Sequence, residues 1–176
     1  GVLTRKFLSL YKEDQPLSER AASLIRAAVE LTDKEAARWE MVAGRLFACD
    51  FRYRLQMREE ALGLRGYADK LAYLDAQGLL APQMMKAYST EELEEAASFI
   101  RPERDNLLPH SGLELLTKRY VIHNRRHEAL ESVQEMYLSI ALFLAIPEKR
   151  EKRLYWARQF YDMLSLLQVT MATPTL

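Results

Sequence analysis

Two histidines, His123 and His127, are the first candidates for chemistry because they stand four residues apart. On a helix, this spacing would place two imidazoles on one face, where they could bind zinc. The stretch around them predicts a hairpin instead, and no third ligand is near. A di-iron site is excluded because it needs Glu-x-x-His pairs, and no histidine follows a glutamate by three positions. We therefore expect no metal in this chain.

Cys49 is the only cysteine of the chain, which excludes an internal disulfide and a multi-cysteine metal site. It could be a nucleophile, but no histidine or glycine elbow lies beside it in the sequence. A free cysteine more often packs as a small apolar group, so we expect a buried structural thiol. Neither glycine-rich phosphate-binding pattern, GxGxxG or GxxxxGK[ST], occurs. We assign no catalytic residue and no bound cofactor to this chain.

Charged clusters are the remaining candidates, and they mix both signs. Two groups of basic residues could bind the phosphates of a nucleic acid. Acidic residues interrupt or precede these groups, so a mixed solvated face is the favoured interpretation. The four glutamates between positions 91 and 95 are expected on a solvated helix face near its N-terminus, where negative charge is favourable. The basic residues are Arg52, Arg54 and Arg58, and then Arg125, Arg126, Lys149, Arg150, Lys152 and Arg153.

The composition indicates one globular domain, or one domain with a small appendage. The 176 residues are 49% hydrophobic, and 25 basic residues balance 25 acidic ones, which excludes a strongly basic nucleic-acid binder. The longest apolar run, 137–146, is too short to cross a bilayer. The first six residues lack the basic-then-apolar order of a secretory signal. Because a single cysteine also suits a reducing compartment, we expect a cytoplasmic protein.

Helices must position nearly all of these residues, since six glycines and six prolines are too few for a sandwich or barrel. Capping boxes at Thr32, Ser89 and Ser132 mark three helix starts. The helix after Ser132 is so apolar that we expect it at the centre, buried on nearly all sides. Residues 120–131 change period and predict one small β-hairpin. Apolar spacing predicts helices at 19–31, 32–60, 67–77, 82–87, 89–101, 113–118, 132–144 and 147–168.

Four blocks in the C-terminal half resemble, in order and spacing, the large catalytic subunit of class I ribonucleotide reductase. Two blocks further upstream, 88–93 (YSTEEL) and 100–105 (IRPERD), resemble the segment that this family places before the first of the four. The similarity covers residues 17–176 and is strongest after residue 81. The four blocks are 118–125 (KRYVIHNR), 131–137 (ESVQEMY), 160–165 (FYDMLS) and 172–176 (ATPTL).

The resemblance implies the N-terminal helical domain of that subunit, which lies beside a ten-stranded α/β barrel holding the active site. We therefore expect a mainly α fold without the barrel, and the family's catalytic cysteines lie beyond the matched region. Residues 18–46 resemble the last two helices of the ATP-cone, an allosteric domain of this family. The nucleotide-binding first half of that domain has no counterpart in this sequence, so we expect no tight ATP binding. The predicted domains are a truncated cone at 1–60, a helical domain at 61–168 and the start of the barrel at 169–176.

Thr173 is the one functional residue that the resemblance transfers to this chain. In the family, the threonine of a Thr-Pro motif contacts the diphosphate of the nucleotide substrate, and it corresponds to Thr173 here. A hydroxyl and free backbone amides before a proline can bond phosphate oxygens without a charge. The alternative is that Thr173 and Pro174 only end a strand.

The resemblance implies the N-terminal portion of a ribonucleoside-diphosphate reductase, which reduces the 2′-hydroxyl by radical chemistry to supply deoxyribonucleotides for DNA synthesis. This chain would then be a fragment, inactive alone. Its implied partners are the catalytic barrel, a radical-generating small subunit and a ribonucleoside diphosphate; no membrane and no nucleic acid are expected. The alternative is an autonomous helical module that binds another protein or RNA through Trp156, Arg158 and the basic residues near them.

Overall fold

The protein consists of helices joined by short connections. The structure, a computed structural model, describes residues 1–33 and 36–170. Within these ranges there are two short 3-10 helices, Pro102–Leu107 and Arg150–Lys152. The α-helices of the same ranges are α1 (Val2–Leu10), α2 (Leu17–Val29), α3 (Arg38–Leu62), α4 (Tyr67–Ala76), α5 (Pro82–Ala87), α6 (Thr90–Ala97), α7 (His110–Arg119), α8 (Val133–Ala145) and α9 (Arg153–Ser165).

The apolar helix α8 supplies the largest share of the core, as its sequence predicts. It packs along α9 and also contacts α5 and α7. Side chains such as Leu138 and Leu142 are fully buried. The C-terminal turn of α8 differs from the prediction, because Phe143 and Leu144 are 44% and 39% exposed. The helix is therefore central but not buried on all sides. No helix in the described ranges has both the length and the apolar character that crossing a membrane requires.

Local sequence signals set several helix ends. The hydroxyls of Ser89 and Ser132 each accept a hydrogen bond from the amide three residues on, and the side chains of Glu92 and Glu135 bond back to the serine amides. Both predicted capping boxes are thus confirmed. Helix α3 ends where Gly63 adopts φ +72, a left-handed conformation that glycine tolerates without strain.

Other boundaries differ from the prediction. Helix α3 begins at Arg38 rather than at Thr32, and Glu35, the predicted capping partner of Thr32, lies outside the described residues. The connection after α6 contains the 3-10 helix Pro102–Leu107, since proline suits the first turn of a helix. The last helix begins at Arg153, after a separate 3-10 turn.

The predicted β-hairpin at 120–131 is wrong. In the part of the chain that the structure describes, this segment is a loop with a single antiparallel bridge, between His123 and Ala129, and no strand forms. The fold class is accordingly mainly α, as expected, but without the hairpin. No barrel strand occurs among the described residues either.

Side chains explain why the loop stops at one bridge. The carboxylate of Glu131 accepts a hydrogen bond from the Ile122 amide at 2.9 Å, in place of a strand carbonyl. The Oδ1 atom of Asn124 accepts from the amides of Arg126 and Glu128 at 2.9 and 3.0 Å. Such local side-chain bonds compete with a strand ladder and favour a turn.

Gly44 allows α3 to approach the start of α7 closely. A Cβ at this position would lie 2.9 Å from the carbonyl oxygen of Leu108 and 3.0 Å from the amide nitrogen of His110. Backbone atoms cannot move aside as a flexible side chain can. We therefore expect Gly44→Ala to lower the free energy of unfolding by about 1–3 kcal/mol, despite the better helix propensity of alanine. Chemical denaturation of the chain measures this change.

Gly112→Ala is the matched control, because Gly112 is also helical. Its added Cβ would come no closer than 3.4 Å, to the side chain of Pro109, and would lie 3.7 Å from the side chain of Leu108. We expect this variant to be unchanged or stabilised, by at most about 1 kcal/mol. Equal losses in the two variants would show that the approach at Gly44 has no special role.

Candidate functional site

The residue predicted to contact substrate, Thr173, lies in the segment 171–176, outside the described residues. Its role therefore stays a prediction, and so does the barrel start predicted at 169–176. Within the described ranges, two groups of charged side chains are candidates for a functional site. One is a basic pocket beside the 120–131 loop, and the other is a buried charge cluster around Lys70.

The two histidines are not placed as zinc ligands on a helix. His123 is half-buried at the bridge of the loop, whereas His127 is exposed and has a left-handed backbone, with φ +59. Among the described residues, no group of three or more His, Cys, Asp or Glu side chains could hold a metal ion. That the chain carries no metal stays a prediction.

Cys49 is exposed, so the prediction of a buried thiol is wrong. The inward stripe of α3 runs through Ala48, Phe51 and Leu55 at helical spacing, and Cys49 lies to one side of it. Its Sγ atom is 3.8 Å from Nη2 of Arg52, a weak contact with a cation. No general base contacts the thiol in the described structure, so the geometry does not favour a nucleophile.

The glutamates at 91–95 lie on α6, as expected, and two of them also have structural partners. Glu92 completes the capping box and lies 3.2 Å from Nη2 of Arg150. Glu94 Oε1 accepts a hydrogen bond from the Ala68 amide at 2.9 Å, which fixes α6 against the start of α4. These contacts support a structural rather than a catalytic role for the group.

The basic pocket is a cavity of about 800 Å³ between the C-terminal half of α3, α4 and the 120–131 loop. Arg54 and Arg58 of α3 face Arg125 and Arg126 of the loop across it. Side chains about seventy positions apart in sequence are thus brought together. The sequence could not predict this juxtaposition, because it depends on how the loop folds back onto α3.

Arg52, Arg150 and Arg153 have partners outside the pocket. Arg52 donates to the carbonyl of Pro102 at 2.9 Å, on the other side of α3 from the pocket lining. Arg153 donates to the carbonyl of Ala87 at 2.9 Å. The predicted mixed face therefore describes the 149–153 group, whereas Arg54, Arg58, Arg125 and Arg126 line the pocket.

Hydrogen bonds hold the rim of the basic pocket in place. Nη1 of Arg58 donates to the carbonyl of Ala129 at 2.5 Å, and its Nη2 lies 3.7 Å from Glu128 Oε1. Asn124 Nδ2 donates to Glu128 Oε2 at 2.7 Å. Arg54 pairs with Asp50 on its own helix at 2.9 Å. The loop is thereby attached to α3, and the pocket is preformed.

Positive charge in the basic pocket is not balanced. The guanidinium groups of Arg125 and Arg126 are exposed and make no hydrogen bond or ion pair in the described part of the chain. The one carboxylate in the lining is that of Glu128. The hydrogen bond from Asn124, with Arg58 and Arg126 nearby, holds the pKa of Glu128 below its ordinary value, so it is charged at neutral pH. Four arginines thus line the pocket, against Glu128 in the lining and Asp50, which pairs with Arg54 on α3.

The Lys70 cluster consists of Lys70, Glu59, Glu135 and Glu131. Lys70 is only 3% exposed, and its ammonium contacts the carboxylates of Glu59 on α3 and Glu135 on α8, the latter at 2.5 Å. Glu131 is 2% exposed, and its Oε2 has no hydrogen-bond partner among the described residues. Burial, reinforced by the neighbouring Glu135, raises the pKa of Glu131 to about 8.

Sequence reasoning missed this cluster, although one signal for it existed. Lys70 lies on the same helical stripe as Tyr67, Leu71 and Leu74, so a charged residue interrupts an otherwise apolar face. A lysine at such a position indicates a buried ion pair. Nothing local distinguishes Glu131, because its burial results from the loop that folds over it.

The sequence blocks of the C-terminal half bond to one another in the core. Gln134 Nε2 donates to Asp105 Oδ1 at 2.8 Å, and the hydroxyl of Tyr161 donates to Gln134 Oε1 at 2.7 Å. The same hydroxyl accepts from the Arg101 amide at 2.8 Å. Buried polar groups that satisfy one another in this way fix the relative positions of α8, α9 and the 3-10 helix. In the described residues, these blocks therefore position helices.

Comparison with known proteins relates this chain to one enzyme family. The family described as "Ribonucleotide reductase, all-alpha domain" matches residues 107–176. Ribonucleoside-diphosphate reductase subunit alpha of Treponema pallidum (strain Nichols) is 44% identical over 174 residues, which is 99% of this chain. The corresponding subunit of Helicobacter pylori (strain ATCC 700392 / 26695) is 30% identical over 94% of the chain, and subunit alpha of reductase 1 from Escherichia coli (strain K12) is 27% identical over 86%. The chain spans about 20% of the length of these curated relatives.

Proposed function

Because the chain is homologous to the N-terminal segment of ribonucleoside-diphosphate reductase alpha subunits, we propose that it serves as the N-terminal helical portion of such an enzyme. The observation that carries this proposal is the 44% identity to the Treponema pallidum subunit over 99% of the chain. The mainly α fold agrees with the all-alpha description of the matching family.

In this proposal, the complete protein is a cytoplasmic oxidoreductase that reduces ribonucleoside diphosphates to deoxyribonucleotides for DNA synthesis. The described helices pack beside a catalytic barrel, and a separate small subunit generates the radical. Residues 18–46 act as a truncated ATP-cone that contributes packing rather than ATP sensing. The chain itself supplies neither the catalytic cysteines nor a metal or cofactor.

The alternative of an autonomous binding module gains no support from the side chains on which it rests. Trp156 is half-buried and stacks on Phe160 at a ring distance of 6.0 Å. The guanidinium of Arg158 lies 5.5 Å from the centre of the Phe99 ring, within cation–π range. These groups are engaged within the molecule, so we do not propose a second function.

A segment exchange tests the proposed function. The matched segment of the Treponema pallidum subunit would be replaced by this chain, and reduction of a ribonucleoside diphosphate would be measured with that organism's small subunit. We expect the exchanged enzyme to retain activity, and the same enzyme with the segment deleted to be inactive. A correctly folded exchange variant without activity would contradict the proposal.

Substitution of Thr173 tests the predicted substrate contact. In the complete reductase, Thr173→Val would remove a charge-assisted hydrogen bond worth roughly 1.5–3 kcal/mol while keeping the β-branched shape. We expect the affinity for a ribonucleoside diphosphate to fall about tenfold or more, as measured by equilibrium binding. Thr175→Val, the same change two positions on, is the control and should bind normally. Equal affinity of Thr173→Val and the unmodified enzyme would assign Thr173 to structure.

A further inference from the structure

We propose that the basic pocket is a binding site for a small oligophosphate anion. It is formed by the second half of α3, α4 and the 120–131 loop, and not by residues 18–46, which resemble cone helices. The proposal rests on the geometry of the pocket and does not depend on the proposed function.

The uncompensated arginines are the first argument for an anion. Arg125 and Arg126 project exposed guanidinium groups that have no hydrogen-bond or ion-pair partner in the described ranges. Each guanidinium offers a planar fork of N–H donors that matches two oxygens of a phosphate. Arg54 and Arg58 line the same cavity, but each already has a carboxylate partner, Asp50 and Glu128 respectively, so the excess positive charge comes from Arg125 and Arg126. A ligand with several phosphate groups would satisfy these donors together.

The second argument is that the pocket is preorganised. The bond from Arg58 to the Ala129 carbonyl holds the loop against α3. Within the loop, Asn124 bonds to the side chain of Glu128 and accepts from the amides of Arg126 and Glu128. A ligand therefore has to order only the two free arginine side chains, which lowers the entropic cost of binding.

Size and lining favour a compact ligand over a polymer. The cavity of about 800 Å³ is within the range of small-molecule sites. Apolar side chains, including Met57, Leu62 and Leu79, form another part of the lining, where an organic group attached to the phosphates could lie. A nucleic acid would need a longer basic stripe, but Arg150 and Arg153 pair with Glu92 and the Ala87 carbonyl elsewhere.

Substitution of Glu128 should change anion binding in the direction opposite to substitution of an arginine. Its carboxylate is in the lining, 3.7 Å from Nη2 of Arg58, so it competes with an incoming anion for positive charge. Glu128→Gln removes this charge and keeps a side-chain oxygen that can accept from Asn124. The substitution should therefore strengthen anion binding, whereas loss of an arginine should weaken it.

Isothermal titration calorimetry of the 176-residue chain with sodium tripolyphosphate is the direct experiment, at low and at physiological salt. We expect saturable binding that weakens at least about tenfold in the double variant Arg125→Ala/Arg126→Ala, because two charge-assisted bonds are lost. Glu128→Gln should bind tripolyphosphate at least about three times more tightly than the unmodified chain. Circular dichroism checks that each variant is folded.

The matched control is the double variant Arg45→Ala/Arg119→Ala. Both arginines are exposed, lie outside the pocket lining and make no ion pair in the described part of the chain, so the change in net charge is the same. We expect this control to bind within about twofold of the unmodified chain. ATP serves as a second ligand. If ATP and tripolyphosphate bind with equal affinity, recognition is by the phosphates alone. If ATP binds more tightly than tripolyphosphate, its organic group contacts the apolar part of the pocket lining.

Four results would overturn the proposal. The first is that no saturable binding occurs at millimolar tripolyphosphate, and the second is that the pocket and control variants lose affinity equally. The third is that Glu128→Gln binds tripolyphosphate more weakly than the unmodified chain. The fourth is that the chain binds a single-stranded RNA oligonucleotide that tripolyphosphate does not displace. The last result would indicate a nucleic-acid surface. None of them depends on reductase activity, so failure here is distinguishable from failure of the segment exchange.

Discussion

Lys70→Met is expected to lower the free energy of unfolding by about 3–5 kcal/mol, the usual cost of removing one partner from a buried ion pair. Lys70 is 3% exposed and lies between the carboxylates of Glu59 and Glu135. Methionine can fill the volume of the lysine stem, so the loss is electrostatic rather than steric. Without the ammonium, the carboxylates of Glu59 on α3 and Glu135 on α8 lie close together with no positive charge between them. Chemical denaturation at pH 7 measures the change.

Lys118→Met is the control for this prediction. Lys118 also pairs with a glutamate, Glu114 at 2.8 Å, but its side chain is 69% exposed. Exposed pairs of this kind contribute about 0.5 kcal/mol or less, so the control should be nearly neutral. Adding Glu135→Gln to Lys70→Met should recover part of the loss, because one unpaired charge is removed. If Lys70→Met cost no more than Lys118→Met, the buried pair would not stabilise the fold.

Glu131→Gln is expected to change how stability depends on pH. Burial raises the pKa of Glu131 to about 8 in the folded chain, against an ordinary value of 4.5. Between these two values the unfolded chain releases the proton while the folded chain retains it. The stability contributed by this group is therefore complete below pH 4.5 and is lost as the pH rises towards 8. Because one pKa unit corresponds to about 1.4 kcal/mol, the loss amounts to several kcal/mol.

Unfolding free energies at pH 5 and pH 8 provide the measurement. The unmodified chain should be less stable at pH 8, and in Glu131→Gln this difference should shrink, because glutamine does not titrate. Lys70 opposes the raised pKa and Glu135 reinforces it, so both must be kept intact in the comparison. Glu103→Gln, which changes an exposed carboxyl, is the control and should retain the full pH dependence. An unaltered pH dependence in Glu131→Gln would assign it to other groups.

The sequence alone was sufficient for those features whose causes lie within a few residues of one another. The capping boxes at Ser89 and Ser132 and the helix start at Pro82 each involve local bonds or dihedral angles, and the structure contains them as predicted. The similarity to ribonucleoside-diphosphate reductase alpha subunits was also predictable, because ordered blocks of residues carry it without any knowledge of the fold. The role of Thr173 and the domain limits stay predictions.

Tertiary contacts decided the rest, since those features depend on side chains far apart in sequence. The 120–131 segment has the pattern of a hairpin, but the bond from the Ile122 amide to Glu131 and the turn around Asn124 leave only one bridge. Cys49 has apolar neighbours, yet the packing of α3 buries the stripe beside it. The basic pocket and the Lys70 cluster likewise combine residues from helices and from the 120–131 loop. Their charges act through distance in space, which the order of residues along a chain does not specify.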